Sequence, residues 1–246
     1  NAFALNRNVT ITDPTNCTLL AKFFEDNGCA ATTDGAPVTV TIVSEIEGAH
    51  DYQLYGYDNE AYTLDITADA INITAVTATG VIRAAQTLAQ LAEGYDGTAE
   101  LEALTLKDWP AFKLRGYMHD VGRSFIEIET LKKHIDLLSR FKVNTFHWHM
   151  TENQAWRFEV KAYPQLTYAS SMTRFAGKYY TQAQCKELQD YAKERGVIVI
   201  PEIDMPGHSQ AFKTAMGHSM QTDQGVAELK TILEEVAAVF PDAPYI

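Results

Sequence analysis

The feature that most constrains the fold is an alternation of short apolar segments with amphipathic helical segments from about residue 109 onward. It predicts three strands, each followed by a helix, and the start of a fourth strand. In chain order these segments are 113–119, 129–141, 143–149, 181–195, 197–203, 224–240 and 245–246. Repeated strand–helix units form a parallel sheet with right-handed crossovers. An eight-stranded barrel needs roughly 250 residues, so residues 109–246 predict either a small open sheet or part of a barrel.

The first 108 residues have a different composition, which is rich in Thr and Ala. Apolar and polar residues alternate over 38–43, 61–67 and 70–74, which indicates half-buried strands, and Ala68-Asp69 is predicted to be a hairpin turn. A helix is predicted over 79–91, with Thr79 as its N-cap and Gly94 as its stop. The region carries no cluster of catalytic residue types. We therefore expect an α+β support domain over 1–108 and an α/β domain over 109–246.

Composition excludes some classes of function. The formal net charge of −12 opposes a nucleic-acid partner, which requires a basic surface. No apolar run approaches the roughly 18 residues of a membrane span. Three cysteines do not make a disulfide framework. Cys17 and Cys29 are near enough in sequence to pair in an oxidising compartment, and three reduced thiols are an equally good interpretation.

The segment Val197–His208 contains the strongest signal for chemistry. Its apolar run is typical of a strand buried on both faces, and it ends at Glu202 and Asp204, which share one face of a strand. A Pro-Gly turn then leaves His208 near the strand's carboxyl end, where α/β barrels carry their chemistry. A carboxylate beside a histidine suits proton transfer. The alternative is a buried acid that caps a turn, with His208 on the surface.

The second predicted strand ends in a pair of histidines. His147 and His149 are two residues apart and share one strand face. A metal site is one interpretation, with further ligands from Glu202, Asp204 or His208. The other is a polar site for a polyhydroxylated ligand, which the following Glu152-Asn153-Gln154 favours.

The first predicted strand is flanked by charged residues. Arg115 and Arg123 carry guanidinium groups able to hold hydroxyls or carboxylates with several donors. Asp120 is placed to pair with either arginine. For Arg123 we favour a structural salt bridge.

Together these motifs resemble those of family 20 glycoside hydrolases, the β-N-acetylhexosaminidases. The segments that carry the resemblance are Arg115–Asp120, His147–Arg157, Tyr179–Thr181 and Pro201–His208. Their order and spacing are also similar, and the first hundred residues look like the small domain that precedes the barrel in that family. The resemblance implies a fold of this α+β domain followed by the first three βα units of an incomplete (β/α)8 TIM barrel.

The resemblance also implies an activity. Members of the family remove terminal β-linked N-acetylglucosamine or N-acetylgalactosamine from glycans by substrate-assisted retaining catalysis. It implies supporting catalytic roles for His208, Asp204 and Glu152, and substrate-binding roles for Arg115, His149 and Asn153. No cofactor and no metal ion are implied. The expected partner is a glycan with terminal N-acetylhexosamine, and the expected location is secreted or periplasmic, in a bacterium.

Two departures from the family pattern affect these expectations. Glu152 and Asn153 stand where the family usually has two aspartates. The family's catalytic Asp-Glu pair follows the fourth barrel strand, and no Asp-Glu pair occurs after Trp109. We therefore expect this chain to be inactive alone and to associate through an open barrel edge. The alternative is a sugar-binding half-barrel without catalysis.

Overall fold

The computed structural model describes residues 2–93 and 100–246. The chain forms two compact units, one of residues 1–114 with 194–196 and the other of residues 115–193 with 197–246. Within the described residues, no helix combines the length and the hydropathy that crossing a bilayer requires.

The first unit is a mixed sheet with two helices. Its five-stranded sheet has the order β2-β3-β5-β4-β7, and β1 pairs separately with β6. The pairs β2–β3 and β3–β5 are parallel, and β5–β4 and β4–β7 are antiparallel. The elements are β1 (Ala2–Ala4), β2 (Val9–Thr12), α1 (Thr18–Asp26), β3 (Ala36–Ile42), β4 (Tyr62–Ile66), β5 (Ile71–Ala75), α2 (Ala78–Ala92), β6 (Glu100–Glu102) and β7 (Leu104–Asp108).

Alternation of side chains along β4 and β5 places one face of each strand in the core, as the sequence predicted. The hairpin turn at Ala68-Asp69 is confirmed, because Thr67 N donates to Ala70 O across it. The N-cap of α2 is Thr77 rather than Thr79: the Thr77 side chain accepts from Gly80 N. Thr79 instead donates its hydroxyl to Asp58. The predicted stop at Gly94 lies outside the described residues.

The second unit has the predicted strand–helix alternation. Its three parallel strands have the order β10-β9-β8, so the first two connections step one strand along in the same direction. The elements are β8 (Gly116–Asp120), α3 (Ile128–Arg140), β9 (Thr145–His149), α4 (Gln182–Lys193), β10 (Ile198–Glu202), α5 (Gln210–Met216) and α6 (Asp223–Val239), with short 3-10 turns at Pro164–Thr167 and Ala169–Ser171. The three predicted strand–helix units are thus confirmed, to within a few residues at each boundary.

The two faces of this sheet differ in burial. On one face, Phe146, Trp148 and Val199 are fully or almost fully buried in the core of the unit. On the other face, Met118 is half exposed and Ile200 is only partly buried. The prediction that the third strand is buried on both faces is therefore corrected: β10 alternates between buried and partly exposed positions, because this core covers one face.

The last two residues and the cysteines also bear on predictions from the sequence. Tyr245 and Ile246 lie in no strand and are about half exposed. All three cysteines are buried free thiols, so Cys17 and Cys29 do not form a disulfide.

Candidate active site

The carboxyl ends of β8, β9 and β10 lie side by side. Strand register pairs Asp120 with His149 and His149 with Glu202, so the last residues of the three strands form one row across the sheet. Residues that pair across parallel strands point to the same side of the sheet, so the three side chains project from one face. The loops that follow add Arg123 and Glu152 to this row. We call this set of residues, with Asp204 and His208, the carboxyl-edge cluster.

The predicted pairing of Asp204 with His208 is present. His208 Nδ1 lies 2.6 Å from Asp204 Oδ2 and 3.2 Å from Glu152 Oε1. An ionised carboxylate only accepts hydrogen bonds, so Nδ1 carries a proton and donates it to Asp204. In a neutral imidazole this leaves Nε2 as an acceptor on a side chain that is about half exposed. The pair can therefore accept or relay a proton at an accessible nitrogen.

His149 is almost fully buried between two carboxylates. Only 3% of its surface is exposed to solvent. Nδ1 lies 2.7 Å from Glu202 Oε2, and Nε2 lies 3.6 Å from Glu152 Oε1. Because both ring nitrogens face carboxylates, His149 is placed to orient them. Its substrate-binding role stays a prediction.

Glu202 joins both histidines of the second strand. The same oxygen, Oε2, lies 2.7 Å from His147 Nε2 and 2.7 Å from His149 Nδ1. The side chain of His147 is 40% exposed, so it presents one edge of the ring to the open side of the cluster.

Arg123 connects two carboxylates of the cluster. Its guanidinium contacts Asp120 through one terminal nitrogen and Glu152 through the other, and 43% of the side chain stays exposed. Burial raises the pKa of Asp120, but hydrogen bonds from the backbone and side chain of Arg123 outweigh it, and the net pKa is lowered. The stabilisation from this pair is therefore present above the ordinary carboxyl pKa and is lost as the pH falls through the lowered value.

Arg115 lies at the amino end of β8, the strand whose carboxyl end is Asp120. Its Nε donates to Lys142 O at 2.7 Å. Five residues of extended chain span roughly 16 Å. The substrate-binding role of Arg115 stays a prediction. Arg123, for which a salt bridge was favoured, forms that salt bridge inside the cluster.

Asn153 lies at the rim of the cluster. It is exposed, and its Oδ1 accepts from the backbone N of Gln210, the first residue of α5, at 3.2 Å. Glu152 Oε2 accepts from Asn153 N at 2.7 Å, and Thr151 Oγ1 accepts from Asp204 N at 2.9 Å. These bonds tie the loop after β9 to the segment after β10.

Gly122 makes the close approach between Arg123 and Glu152 possible. A Cβ at residue 122 would lie 2.7 Å from Glu152 Cβ and 3.0 Å from Glu152 Cγ, both inside van der Waals contact. Overpacking of this kind costs about 1–3 kcal/mol.

We therefore expect Gly122→Ala to lower the free energy of unfolding by about 1–3 kcal/mol and to displace Glu152. Chemical denaturation of the two proteins measures the loss. Gly116→Ala is the matched control, because a Cβ there meets only atoms of Thr145 at 3.6 Å or more, which is ordinary van der Waals contact. Equal stability of Gly122→Ala and the parent would show that the loop moves freely.

A metal ion is a chemical alternative for parts of the cluster. Three overlapping triads of described residues bring their donor atoms within 4.8 Å of one another: Asp120–His149–Glu152, His149–Glu202–Asp204 and Glu152–Asp204–His208. His147, which the metal interpretation paired with His149, belongs to none of these triads among the described residues. Arg123 supplies one permanent positive charge to the cluster, against its four carboxylates.

The chain matches known families over nearly its whole length. The family model described as "Glycosyl hydrolase family 20, domain 2" matches residues 1–109, and that described as "Glycosyl hydrolase family 20, catalytic domain" matches residues 112–243. A protein of Porphyromonas gingivalis named β-hexosaminidase is 44% identical over 169 residues, which are 63% of this chain and 22% of that protein.

Solved structures of β-N-acetylhexosaminidases also superimpose on the chain. The β-N-acetylhexosaminidase of Bacteroides fragilis superimposes with a TM-score of 0.82 at 28% identity, covering 98% of this chain and 52% of that one. The exo-β-N-acetylglucosaminidase of Vibrio harveyi, in complex with N-acetylglucosamine, superimposes with a TM-score of 0.78 at 27% identity, covering 98% of this chain and 43% of that one. The chain thus spans from about a fifth to about half of the length of these relatives.

Proposed function

The chain belongs to glycosyl hydrolase family 20, and from that premise we propose that its protein hydrolyses terminal β-linked N-acetylhexosamine residues of glycans. The observation that carries the proposal is the carboxyl-edge cluster. It brings two histidines, four carboxylates and an arginine together at the ends of three consecutive parallel strands. The relatives from Porphyromonas gingivalis and Bacteroides fragilis are named as a β-hexosaminidase and a β-N-acetylhexosaminidase.

Two residues of the cluster are suited to support a general acid. His208 is held by Asp204 and Glu152 through Nδ1, so its accessible Nε2 faces away from them. In the proposed reaction this nitrogen hydrogen-bonds the acid and helps to set its protonation state. Glu152, Asp204 and His208 thus act as positioning residues in our proposal.

Arg123 takes the substrate-binding role in our proposal. Its two terminal nitrogens are oriented by Asp120 and Glu152, and its exposed surface leaves N–H donors for the hydroxyls of a sugar ring. A planar, permanently charged guanidinium holds neighbouring hydroxyls in a fixed orientation.

The chemical step that we propose uses the substrate's own acetamido group. Its oxygen attacks the anomeric carbon while a carboxylic acid protonates the leaving glycosidic oxygen, and water later opens the cyclic intermediate. We propose that the acid and the carboxylate that orients the acetamido group come from residues outside these 246, since no Asp-Glu pair follows Trp109.

Terminal N-acetylhexosamine occurs on extracellular glycans, so we also propose a secreted or periplasmic location for the protein. Cell fractionation tests this location.

The proposal predicts a strict requirement for the 2-acetamido group. The complete protein is expected to release nitrophenol from 4-nitrophenyl N-acetyl-β-D-glucosaminide and none from 4-nitrophenyl β-D-glucoside, because the glucoside lacks the internal nucleophile. Initial rates with the two substrates at equal concentration measure the difference. Equal rates would contradict substrate assistance, and activity that a chelator abolishes would favour a metal-dependent hydrolase instead.

A further inference from the structure

Arg157 is a fully buried arginine close to the carboxyl-edge cluster. None of the surface of Arg157 is exposed to solvent, and its backbone N donates to the O of Met150, the residue just after β9. Within residues 2–93 and 100–246, no hydrogen bond of its side chain has a carboxylate as acceptor. An isolated buried charge is costly unless polar groups replace its hydration, so the surroundings of this guanidinium are informative.

Five backbone carbonyls surround the guanidinium. Nε donates to Val121 O at 2.9 Å, and one terminal nitrogen donates to Gly122 O at 3.1 Å and Arg174 O at 2.9 Å. The other terminal nitrogen donates to Phe175 O at 3.0 Å and Lys178 O at 2.7 Å. Arginine has five N–H donors in a planar fork, and each one has a carbonyl. We call these five hydrogen bonds the Arg157 clamp.

The charge is further stabilised by two aromatic rings. The guanidinium carbon lies 5.7 Å from the centroid of Phe125 and 6.0 Å from that of Phe175, within the range of cation–π attraction. Burial lowers the pKa of Arg157 to about 10, so the group still carries its charge at neutral pH.

The carbonyls belong to two separate segments that border the cluster. Val121 and Gly122 form the turn between Asp120 and Arg123, and the backbone of Gly122 packs on Glu152. The second segment, residues 174–178, continues from Thr173, whose N donates to Gln154 O at 2.8 Å. Arg157 therefore connects the loop after β8 to a loop that is itself bonded to the segment after β9.

We propose that Arg157 is a positioning residue that sets the orientation of Arg123 and Glu152 by clamping the Val121–Gly122 turn and residues 174–178. The catalytic use of Arg123 and Glu152 rests on the proposed function, whereas the existence of the Arg157 clamp does not. Lysine cannot replace Arg157, because an ammonium group has three donors and no planar fork.

Hydrogen exchange tests the clamp without reference to activity. In the complete protein, we expect Arg157→Lys to speed exchange of the amides of Val121, Arg123 and Lys178 about tenfold or more, since at least two hydrogen bonds are lost. The amides of Phe146 and Trp148, inside β9, are expected to change less than about twofold, as loops open independently of core strands. Arg140→Lys, at the exposed end of α3, is the matched control and is expected to change none of these rates. Unchanged exchange in both segments would overturn the proposal, as would equal acceleration throughout the unit.

A double-mutant cycle tests whether the clamp acts through Arg123. We expect Arg157→Lys and Arg123→Lys each to raise KM for 4-nitrophenyl N-acetyl-β-D-glucosaminide about tenfold, with smaller changes in kcat. The double variant is expected to match Arg123→Lys alone, because residues that act through one another are not additive. Additive effects would show that Arg157 has only a general structural role and would overturn the proposal.

The two measurements separate the two hypotheses. An inactive parent protein would count against the proposed hydrolysis, and the exchange rates would still decide the clamp. An active parent with unchanged loop exchange in Arg157→Lys would retain the hydrolase and reject the clamp.

Discussion

A purified polypeptide of residues 1–246 is expected to release no nitrophenol from 4-nitrophenyl N-acetyl-β-D-glucosaminide above the uncatalysed rate. In our proposal the carboxyl-edge cluster supplies positioning residues and a sugar-binding arginine, but the reaction also needs an acid and a carboxylate that orients the acetamido group. No adjacent Asp-Glu pair occurs after Trp109 to take these roles. The remaining rate should therefore be undetectable, because the general acid and the orientation of the internal nucleophile each contribute several orders of magnitude.

The complete protein is the positive control, assayed at equal molar concentration. Circular dichroism of the 246-residue polypeptide establishes whether its helices and strands have formed. Turnover by the folded polypeptide would contradict the expectation and would require an acid from within the described cluster. Measurable binding of N-acetylglucosamine without turnover would favour the alternative of a sugar-binding half-barrel.

In the complete protein, Glu152→Gln is expected to lower kcat by up to about 10⁴-fold, the loss found when a carboxylate that orients a catalytic imidazole is neutralised. Glu152 is 1% exposed, and its Oε1 faces both Arg123 and His208. The amide keeps the volume of the side chain but removes the charge that both partners face. Steady-state kinetics with the chromogenic substrate measure the change.

Two further variants give this experiment its controls. Glu152→Asp keeps the carboxylate on a shorter side chain and is expected to retain more activity than Glu152→Gln. Glu127→Gln removes an exposed carboxylate that pairs with Lys178 at 3.0 Å, and it is expected to leave kcat unchanged, because surface ion pairs contribute little. Parent-like kcat in Glu152→Gln would show that His208 is oriented by Asp204 alone.

Local patterns in the sequence were sufficient for most elements of the second unit, although the short helix α5 was not predicted. The apolar faces of α3, α4 and α6 and the apolar runs of β9 and β10 are periodic over enough residues to be recognised. The short strands β1, β2 and β6 contain three or four residues each, too few to show a period, and they were not predicted. Helix α1 was also missed, although its buried Leu20, Phe23 and Phe24 follow helical spacing.

The positions of the acidic residues and histidines at strand ends also follow from the sequence. Side chains two residues apart share a strand face, and the ends of parallel strands lie at one edge of a sheet. These two rules bring His147, His149 and Glu202 together before any coordinates are known. The pairing of Asp204 with His208 was implied by the family resemblance, and the structure places the two side chains 2.6 Å apart across the Pro-Gly turn.

The sequence by itself determined the family, the three strand–helix units of the second unit, and the edge of the sheet at which the acidic residues and histidines gather. These properties depend on periodicity and on motifs that are contiguous in the chain. Only the tertiary structure decided what surrounds each arginine, since Arg115 donates to Lys142 O whereas Arg123 contacts Asp120 and Glu152. It also revealed the surroundings of Arg157, whose five carbonyl partners are 17 to 36 residues distant in sequence. Contacts between such distant residues form only when the chain packs, because the loops that supply them have no periodic pattern of their own.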